Sequence, residues 1–382
     1  MDRQHSHIAV VGGGQLARMM QPAAIGLGIR LRLLAEAPDA SAAQVIPDHI
    51  VGDHRDLDDL RRVADGCAVV TFDHEHVPPE HLRELQSEGH VPRPGPEALL
   101  FAQDKALMRG RLSELGIPVP AHRVVDGPEE LDDFAESVGG YPVVVKITRG
   151  GYDGKGVWIV GDATEAGEAF ASGQAIMAEE LVFFARELSA QVARRPSGDM
   201  MSYPVVESRQ AAEGICKEVV APAPELDAGL DHQARTLARS IAEKLGVTGM
   251  LAVELFETMD GRIVVNELAM RPHNTGHWSI EGAATSQFEN HLRAVLDLPL
   301  GPTDPREAWA VMVNVLGGDV EDLESQLGAV LDSVPEAHVH LYGKVVKGGR
   351  KVGHVTVLGD DLGRTIVRAR RAADLLEKGT TG

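Results

Sequence analysis

The stretch Gly150-Gly151-Tyr152-Asp153-Gly154-Lys155-Gly156 has four glycines in seven positions and joins two apolar runs, Val143–Ile147 and Val157–Val160, that are typical of buried strands. Glycine has no Cβ, so several backbone N–H groups of such a turn can approach phosphate oxygens, and Lys146 and Lys155 add positive charge. A flexible hairpin is the simpler interpretation of the turn in isolation. A Walker loop is excluded, because no Lys-Ser/Thr pair opens a helix after the last glycine. The stretch therefore predicts a phosphate site between two strands.

A pair of glutamates occupies matching places in two later apolar runs. Glu254 lies in the first run, Glu267 follows thirteen positions later in the second, and Asp260-Gly261 predicts a hairpin turn between them. Antiparallel pairing would bring the two carboxylates together, where their repulsion costs about a few kcal/mol unless a cation relieves it. Mg²⁺ prefers one or two carboxylates plus nucleotide phosphates, and Asn266 adds another oxygen donor. The alternative to a metal site is a pair of solvated carboxylates. It is less favoured because the glycine-rich turn also predicts a phosphate site.

Three further segments are candidates for ligand contacts. Residues 271–278 contain five polar or charged side chains and predict a substrate-facing loop rather than an exposed turn, because they directly follow the second glutamate strand. Residues 342–351 hold four basic residues and no acid, so they are an anion-binding candidate, with a solvated basic turn as the alternative. Glu179–Val182 follows a strand and is a candidate hinge for adenine, with Glu187 as a ribose acceptor, although that stretch carries no prediction alone.

The amino-terminal segment has the layout of a dinucleotide fingerprint. Gly12–Ala17 fits G-x-G-x-x-A after a short strand, and Glu36 closes a second strand 22 positions after Gly14. Nothing downstream supplies hydride chemistry, so a structural or phosphate-binding turn is favoured over an NAD site. The alternation of strands and helices here predicts a parallel sheet, followed by one helix from about Pro96 to Leu115. Proline-rich and glycine-rich punctuation suggests domains at 1–100, 101–300 and 301–382.

Composition limits the classes of function. The 382 residues include 37 basic and 57 acidic ones, and the net charge of −20 argues against a general nucleic-acid binder. The two cysteines, Cys67 and Cys216, give neither a disulfide framework nor a metal-type spacing. The sequence starts in a strand too short for a signal peptide or a membrane span, so we expect a cytoplasmic protein without a membrane partner.

Together these stretches resemble the N5-carboxyaminoimidazole ribonucleotide synthetase family, ATP-grasp enzymes of purine biosynthesis. The resemblance covers essentially the whole chain, and its most specific parts are residues 12–19, 150–156, 266–277 and 342–354. The related formate-dependent glycinamide ribonucleotide transformylases tend to have Glu where this chain has Gln15, which favours the synthetase. The transformylase stays the alternative enzyme, and a nucleotide-binding regulatory protein with a decayed site is an alternative of another class.

The resemblance implies an α/β and α+β architecture of three parts. These are a Rossmann-like amino-terminal domain, an ATP-grasp domain with a mobile lid at about 120–190, and a small β-rich carboxy-terminal domain. It also implies that ATP phosphorylates bicarbonate to carboxyphosphate, and that the amine of 5-aminoimidazole ribonucleotide captures the carboxyl group or the CO₂ it releases. Family members are commonly homodimers, and the unstable product suggests coupling to a downstream mutase.

Roles for individual residues follow from the resemblance by position. Mg²⁺ would be held by Glu254 and Glu267. Catalysis is expected from Asp153, Lys155, Arg271 and Lys344. The expected ATP contacts are Lys105, Lys146, Gly150, Gly151, Tyr152, Asp153, Gly154, Lys155, Gly156, Glu179, Glu180, Leu181, Val182, Glu187, Gln210, Asn266 and Glu267. The expected contacts to the ribonucleotide or bicarbonate are Gln15, Leu16, Glu75, Tyr152, Asp153, Arg271, His273, Asn274, Lys344 and Arg350.

Within those roles, Arg271 suits bicarbonate through its planar fork, and Asp153 would accept a hydrogen bond or a proton from the amine. Lys344 and Arg350 would anchor the substrate phosphate. The chain departs from the family at residues 72–76, Phe-Asp-His-Glu-His, where Phe-Glu-Phe-Glu-Asn is frequent. It also has Gln210 where many members carry a nucleotide-contacting His, and Gln cannot become cationic.

Overall fold

The amino-terminal part of the chain alternates strands and helices around a four-stranded sheet. The computed structural model describes residues 7–151, 155–211 and 214–379. The first elements are β1 (His7–Val11), α1 (Gln15–Leu27), β2 (Arg30–Ala35), β3 (His49–Val51), α2 (Leu57–Ala64), β4 (Val69–Phe72), α3 (Pro79–Ser87), α4 (Pro96–Gln103) and α5 (Lys105–Glu114). The strands are parallel in the order β3-β2-β1-β4, which confirms the Rossmann-like prediction.

The single helix predicted from about Pro96 to Leu115 is wrong, because Asp104 divides it into α4 and α5. The backbone of Asp104 is extended, with φ of −129° and ψ of 108°. Its carboxylate accepts a hydrogen bond from the backbone N–H of Leu107 at 3.0 Å and caps α5. The same carboxylate also accepts from the guanidinium of Arg149 at 2.8 Å. The break therefore ties the start of α5 to the segment that precedes the glycine-rich turn.

A second, antiparallel sheet carries the glycine-rich turn. Its elements are β5 (His122–Val125), α6 (Pro128–Ser137), β6 (Val143–Ile147), β7 (Val157–Val160), α7 (Gly167–Ala171) and β8 (Ile176–Glu180). The strand order is β5-β8-β6-β7, and β6 and β7 pair from Val143 opposite Val160 to Lys146 opposite Val157. The prediction of two strands on either side of the turn is confirmed, while Tyr152, Asp153 and Gly154 lie outside the described residues.

The largest sheet begins in the middle of the chain and includes the two glutamate strands. Its first elements are β9 (Phe184–Arg194), β10 (Met200–Ser202), β11 (Val206–Gln210), β12 (Cys216–Ala221), α8 (Ala228–Lys244), β13 (Gly249–Thr258), β14 (Ile263–Ala269), α9 (Ser279–Gly282) and α10 (Gln287–Val295). Strands β13 and β14 form an antiparallel hairpin in which Glu254 lies directly opposite Glu267. This register confirms the predicted pairing of the two glutamate strands.

The carboxy-terminal strands extend the same sheet. The remaining elements are β15 (Trp309–Leu316), α11 (Leu327–Ser333), β16 (His338–Leu341), β17 (Lys351–Gly359) and α12 (Leu362–Lys378). The order is β14-β13-β9-β11-β12-β15-β17-β16, with β10 on β9, because β15 pairs with β12. Within the described ranges, no helix combines the length and the apolar character needed to cross a membrane.

One buried cluster joins the amino-terminal part to the large sheet. Helix α10 contributes Phe288, Leu292 and Val295 to the same apolar core as Leu16 and Met20 of α1. Burial of such side chains contributes about 1.5–3 kcal/mol each, so the contact fixes the two parts relative to each other. The segment that leads from β14 to α10 therefore ends at a helix packed against α1.

Candidate active site

Two neighbouring cavities meet at the glutamate pair. We call the first, about 420 Å³, the hinge cavity, because residues 179–182 line it. The second, about 330 Å³, is the amino-terminal cavity, lined in part by Gln15 and residues 73–76. Both are lined by a shared set of residues: Lys105, Glu254, Glu267, His273, Asn274 and Lys351. Ligands in the two cavities would therefore approach each other at two carboxylates and several basic groups.

Each carboxylate of the pair already contacts a basic side chain. The ammonium of Lys105 lies 2.5 Å from Glu267 Oε1, and His273 Nε2 lies 3.1 Å from Glu254 Oε1. Burial raises the pKa of Glu254, but the hydrogen bond and charge of His273, with the charges of Lys351 and Arg271, outweigh burial and lower the pKa overall. Glu254 is therefore an anion near neutral pH.

The carboxylate oxygens of Glu254 and Glu267 fit a divalent cation such as Mg²⁺ that phosphate oxygens also coordinate. Across the part of the chain that the structure describes, no three His, Cys, Asp or Glu side chains form a metal-binding group. Glu254 and Glu267 offer carboxylate oxygens from directly paired strand positions. Two carboxylates with phosphate and water oxygens are the usual arrangement for Mg²⁺ in nucleotide enzymes.

A buried ion triad forms one wall of the hinge cavity. Glu179 Oε1 lies 2.5 Å from Arg109 Nε, and Glu179 Oε2 lies 2.6 Å from Lys146 Nζ. The side chains of Arg109 and Glu179 are only 1% and 3% exposed. Burial raises the pKa of Glu179, but the two cations outweigh it and hold the pKa at about 2. The wall therefore keeps a permanently ionised carboxylate that fixes the Lys146 ammonium in the cavity.

Another part of the hinge cavity lining is aromatic and polar. The rings of Phe184 and Phe256 stack with centroids 4.5 Å apart, and both residues line the cavity. Gln210 Nε2 donates to Glu187 Oε2 at 2.7 Å, and burial raises the pKa of Glu187. Stacked aromatic rings beside a carboxylate suit a flat base joined to a sugar with hydroxyl groups.

The amino-terminal cavity has a different chemistry, because polar and charged side chains around it bind cationic groups. Arg271 Nε donates to Glu75 Oε2 at 2.8 Å, and both residues line the cavity. The ammonium of Lys344, in the hairpin between β16 and β17, donates to Gln15 Oε1 at the start of α1. Arg271 therefore lines the cavity itself, whereas Lys344, which is not a lining residue, contacts the lining residue Gln15.

The glycine turn before α1 is occupied by carboxylates of the chain itself. Gly14 N and Ala17 N donate to Asp73 at 3.1 and 2.7 Å, and Gly13 N donates to Glu36 at 3.2 Å. Burial raises the pKa of Asp73 to about 6, although the hydrogen bond from Ala17 opposes the rise. Since these donors are the ones a pyrophosphate would use, the turn has the structural role favoured over an NAD site.

Comparison with known proteins covers nearly the whole chain. Residues 5–103 match the ribonucleotide synthetase preATP-grasp domain, 110–288 the ATP-grasp domain, and 310–368 the phosphoribosylaminoimidazole carboxylase C-terminal domain. The N5-carboxyaminoimidazole ribonucleotide synthase of Corynebacterium ammoniagenes is 53% identical over 380 residues, covering 97% of this chain and 91% of that protein. The chain belongs to the N5-carboxyaminoimidazole ribonucleotide synthase family.

Solved structures of the synthase family share the fold. The synthetase from Thermus thermophilus is 39% identical with a TM-score of 0.87, over 97% of this chain and 98% of that one. The Aspergillus clavatus synthase, solved with ADP and 5-aminoimidazole ribonucleotide, is 33% identical with a TM-score of 0.88, over 98% and 99% of the two chains. The ATP-grasp fold predicted from the sequence is therefore confirmed.

The structure brings most of the residues predicted for this synthase family site into the two cavities. The hinge cavity is lined by Lys105, Lys146, Glu179, Glu180, Leu181, Val182, Glu187, Gln210, Asn266 and Glu267. The amino-terminal cavity is lined by Gln15, Leu16, Glu75, Gly150, Gly151, Arg271, His273 and Asn274. The predicted residues that line neither cavity are Lys155, Gly156, Lys344 and Arg350, and the Arg350 guanidinium donates to Val345 O at 3.3 Å. Their roles stay predictions.

Several lining residues were not selected from the sequence. Lys351 is the clearest, because it lines both cavities at the start of β17. The sequence signal for Lys351 was the cluster of basic residues at 342–351. That cluster does not show which of its side chains faces the cavities, because this depends on the register of β17. Also missed were the other lining residues of the amino-terminal cavity, among them Asp73, His74, His76 and Gln103, and the aromatic pair Phe184 and Phe256.

Proposed function

We propose that this protein carboxylates 5-aminoimidazole ribonucleotide with bicarbonate at the expense of ATP, and forms N5-carboxyaminoimidazole ribonucleotide, ADP and phosphate. The reaction passes through carboxyphosphate and serves de novo purine (IMP) biosynthesis. The observation that carries the proposal is the junction of two chemically different cavities at Glu254 and Glu267. A nucleotide in one cavity and a ribonucleotide in the other would place the transferable phosphoryl group at that junction.

The hinge cavity is proposed as the ATP site. Residues 179–182 would bind adenine through their backbone, the Phe184–Phe256 stack would contact its face, and Glu187 would accept from the ribose hydroxyls. Lys105 and Lys146 would contact phosphate oxygens. Stabilisation of charge on those oxygens is the main catalytic requirement of phosphoryl transfer, so fixed ammonium groups are suited to it.

Glu254 and Glu267 are proposed to hold Mg²⁺ together with the phosphates. When bound, the ion neutralises charge on the transferring phosphoryl group. Lys105 contacts Glu267, so we expect its ammonium to turn toward phosphate when the ion takes up that carboxylate. His273 would keep its contact with Glu254 and fix the orientation of that carboxylate.

The amino-terminal cavity is proposed as the site of the ribonucleotide and bicarbonate. Arg271, oriented by Glu75, offers the planar fork that suits bicarbonate, and Lys351 adds a cation at the junction. Gln15 would bind the substrate beside Lys344. Asp153, outside the described residues, is proposed to orient the amine or accept its proton, with Tyr152 beside it.

Omitting each substrate in turn tests the proposal. We expect ADP release to require both bicarbonate and 5-aminoimidazole ribonucleotide, because neither cavity alone completes the reaction. Formate with glycinamide ribonucleotide is the matched control for the transformylase alternative, which the relatives named above do not favour. ADP release only with that second pair, measured by a coupled assay, would overturn the proposed function, and absence of all turnover would favour the decayed-site alternative.

Lys344→Ala and Arg350→Ala are expected to raise KM for 5-aminoimidazole ribonucleotide more than they lower kcat. A phosphate contact made equally in the ground and transition states is uniform binding, and losing one charge-assisted hydrogen bond costs about 1.5–3 kcal/mol, or about ten- to a hundredfold in kcat/KM. Lys347→Ala, at an exposed position of the same hairpin, is the matched control. Steady-state kinetics showing a defect only in KM for ATP would place the hairpin at the other ligand.

The family resemblance also supports three proposals beyond the reaction itself. We propose a cytoplasmic homodimer whose product passes to a mutase that consumes the unstable carbamate. Light scattering of the purified chain during size-exclusion chromatography measures its mass in solution, against 40.9 kDa for one copy. A monomeric mass at working concentrations would contradict the dimer without affecting the proposed reaction.

A further inference from the structure

The side chain of Gln287 makes two hydrogen bonds to the backbone of residues 271–278, which we call the substrate loop. Gln287 is the first residue of α10 and is fully buried. Its Oε1 accepts from the backbone N–H of His273 at 2.8 Å, and its Nε2 donates to the His273 carbonyl at 2.8 Å. The second amide hydrogen of Nε2 has His277 Nδ1 at 3.0 Å. The Gln287 amide therefore binds both the backbone N–H and the carbonyl of His273, as a residue on a neighbouring β-strand would.

The loop packs directly against this amide. A Cβ added at Gly276 would lie 2.4 Å from Gln287 Oε1 and 2.5 Å from Gln191 Oε1, so only glycine allows the approach. Gln191 Nε2 also donates to Thr275 Oγ1 at 2.9 Å, and His273 Nδ1 lies 2.9 Å from the same hydroxyl. With its backbone held by Gln287 and its Nδ1 by Thr275, the His273 ring can turn only Nε2 toward the cavities.

That remaining nitrogen contacts the proposed metal site. His273 Nε2 lies 3.1 Å from Glu254 Oε1, so the contacts run from the α10 amide through the loop to the carboxylate. We infer that Gln287 is a positioning residue, which holds His273 so that Glu254 is oriented for the ion and the phosphates. This inference rests on the proposed function of Glu254 and deepens it, because Gln287 lines neither cavity.

Gln287→Met tests the inference by keeping the side-chain length while removing both hydrogen bonds to His273. We expect kcat to fall about tenfold, the value of one well-oriented charge-assisted hydrogen bond. We also expect Mg²⁺ to strengthen ADP binding about tenfold less than in the unaltered protein, with ADP affinity in the absence of Mg²⁺ unchanged. Isothermal titration calorimetry with and without Mg²⁺ measures this, and Gln233→Met on the exposed face of α8 is the matched control.

Gln287→Glu gives a second measurement in case the Met variant is poorly folded. The protonated acid still offers one donor and one acceptor to His273, whereas the ionised form turns a carboxylate oxygen against the His273 carbonyl. Activity relative to the unaltered protein should therefore fall as pH rises through the pKa of the introduced acid. If Gln287 had only a structural role, Gln287→Glu would change thermal stability, and the activities of the variant and of the unaltered protein would depend on pH in the same way.

The outcomes separate this inference from the proposed function. If 5-aminoimidazole ribonucleotide and bicarbonate fail to stimulate ADP release, the proposed reaction is wrong, while the Mg²⁺ effect on ADP binding still reports on Gln287. If Gln287→Met matches Gln233→Met in Mg²⁺-dependent ADP binding, or if the Glu variant has a pH profile parallel to the unaltered protein, the inference is overturned. A Met variant defective in Mg²⁺-dependent binding supports it.

Discussion

Replacement of Glu267 by Gln is expected to lower kcat for ADP release by at least about a hundredfold, the scale of losing one electrostatic group in the transition state. The amide keeps the shape of the side chain but removes the charge that would hold Mg²⁺ against the phosphates. It also releases Lys105, whose ammonium lies 2.5 Å from Glu267 Oε1. The defect should be largest at limiting Mg²⁺, so titration of the ion at saturating ATP is the measurement.

Glu243→Gln is the matched control for this prediction. Glu243 is exposed near the end of α8, so the same change of charge there should leave the Mg²⁺ dependence unaltered. Surface substitutions away from special features usually change stability by no more than about 0.5 kcal/mol. If Glu267→Gln turned over at a near-normal rate at limiting Mg²⁺, Glu267 would not be a ligand of the ion.

The pairing of the two glutamate strands could be predicted because a hairpin is encoded locally. Two alternating apolar runs joined by Asp260-Gly261 define a hairpin, and a hairpin turn fixes the register of its strands. The turn pairs Phe256 with Val264 and Leu255 with Val265, and this register alone would put Asn266 opposite Glu254. A bulge between Glu254 and Leu255 shifts the pairing by one residue and brings Glu267 opposite Glu254, which the local pattern does not encode. The strands on either side of the glycine-rich turn were predictable for the same reason, since each is a short apolar run bounded by turn residues.

Contacts between distant segments could not be predicted in this way. Asp104, where the helical pattern breaks, binds Arg149, 45 residues away, through its carboxylate. Asp73 fills the turn before α1 from 59 positions beyond Gly14, and no local periodicity records that contact. The choice of Lys351 rather than Arg350 as a cavity residue depends on how β17 pairs with β15 and β16. Such partners are set by tertiary packing, which a local pattern does not encode.

Glu179→Gln is expected to destabilise the fold by about 3–5 kcal/mol, the cost of removing one partner from a buried ion pair. Glu179 accepts from Arg109 at 2.5 Å and from Lys146 at 2.6 Å, and an amide would leave two buried cations without a counter-charge. Glu180→Gln, one position further along β8 and exposed, is the matched control. Urea unfolding followed by circular dichroism measures the difference, and equal stabilities of the two variants would contradict the prediction.

The pH dependence of this effect has a defined sign. The pKa of Glu179 is lowered from 4.5 to about 2, so its contribution to stability is fully present above pH 4.5 and is lost as pH falls toward 2. The difference between Glu179→Gln and the unaltered protein should therefore be constant from pH 8 to about pH 5 and shrink in more acidic solution. A difference that grew on acidification would contradict the ionised state of Glu179.

Replacing the whole triad separates the cost of unpaired charge from the loss of packing. Exchange of a buried ion cluster for apolar side chains of similar volume is often neutral or stabilising by about 1–4 kcal/mol. The combined variant Arg109→Met, Lys146→Met and Glu179→Met should therefore unfold at higher urea than Glu179→Gln alone. It should be inactive, because position 146 no longer offers an ammonium to the nucleotide phosphates. Recovery of stability without ADP release would assign the triad to ATP binding. A combined variant less stable than Glu179→Gln would instead mean that the ion contacts themselves stabilise this wall of the cavity.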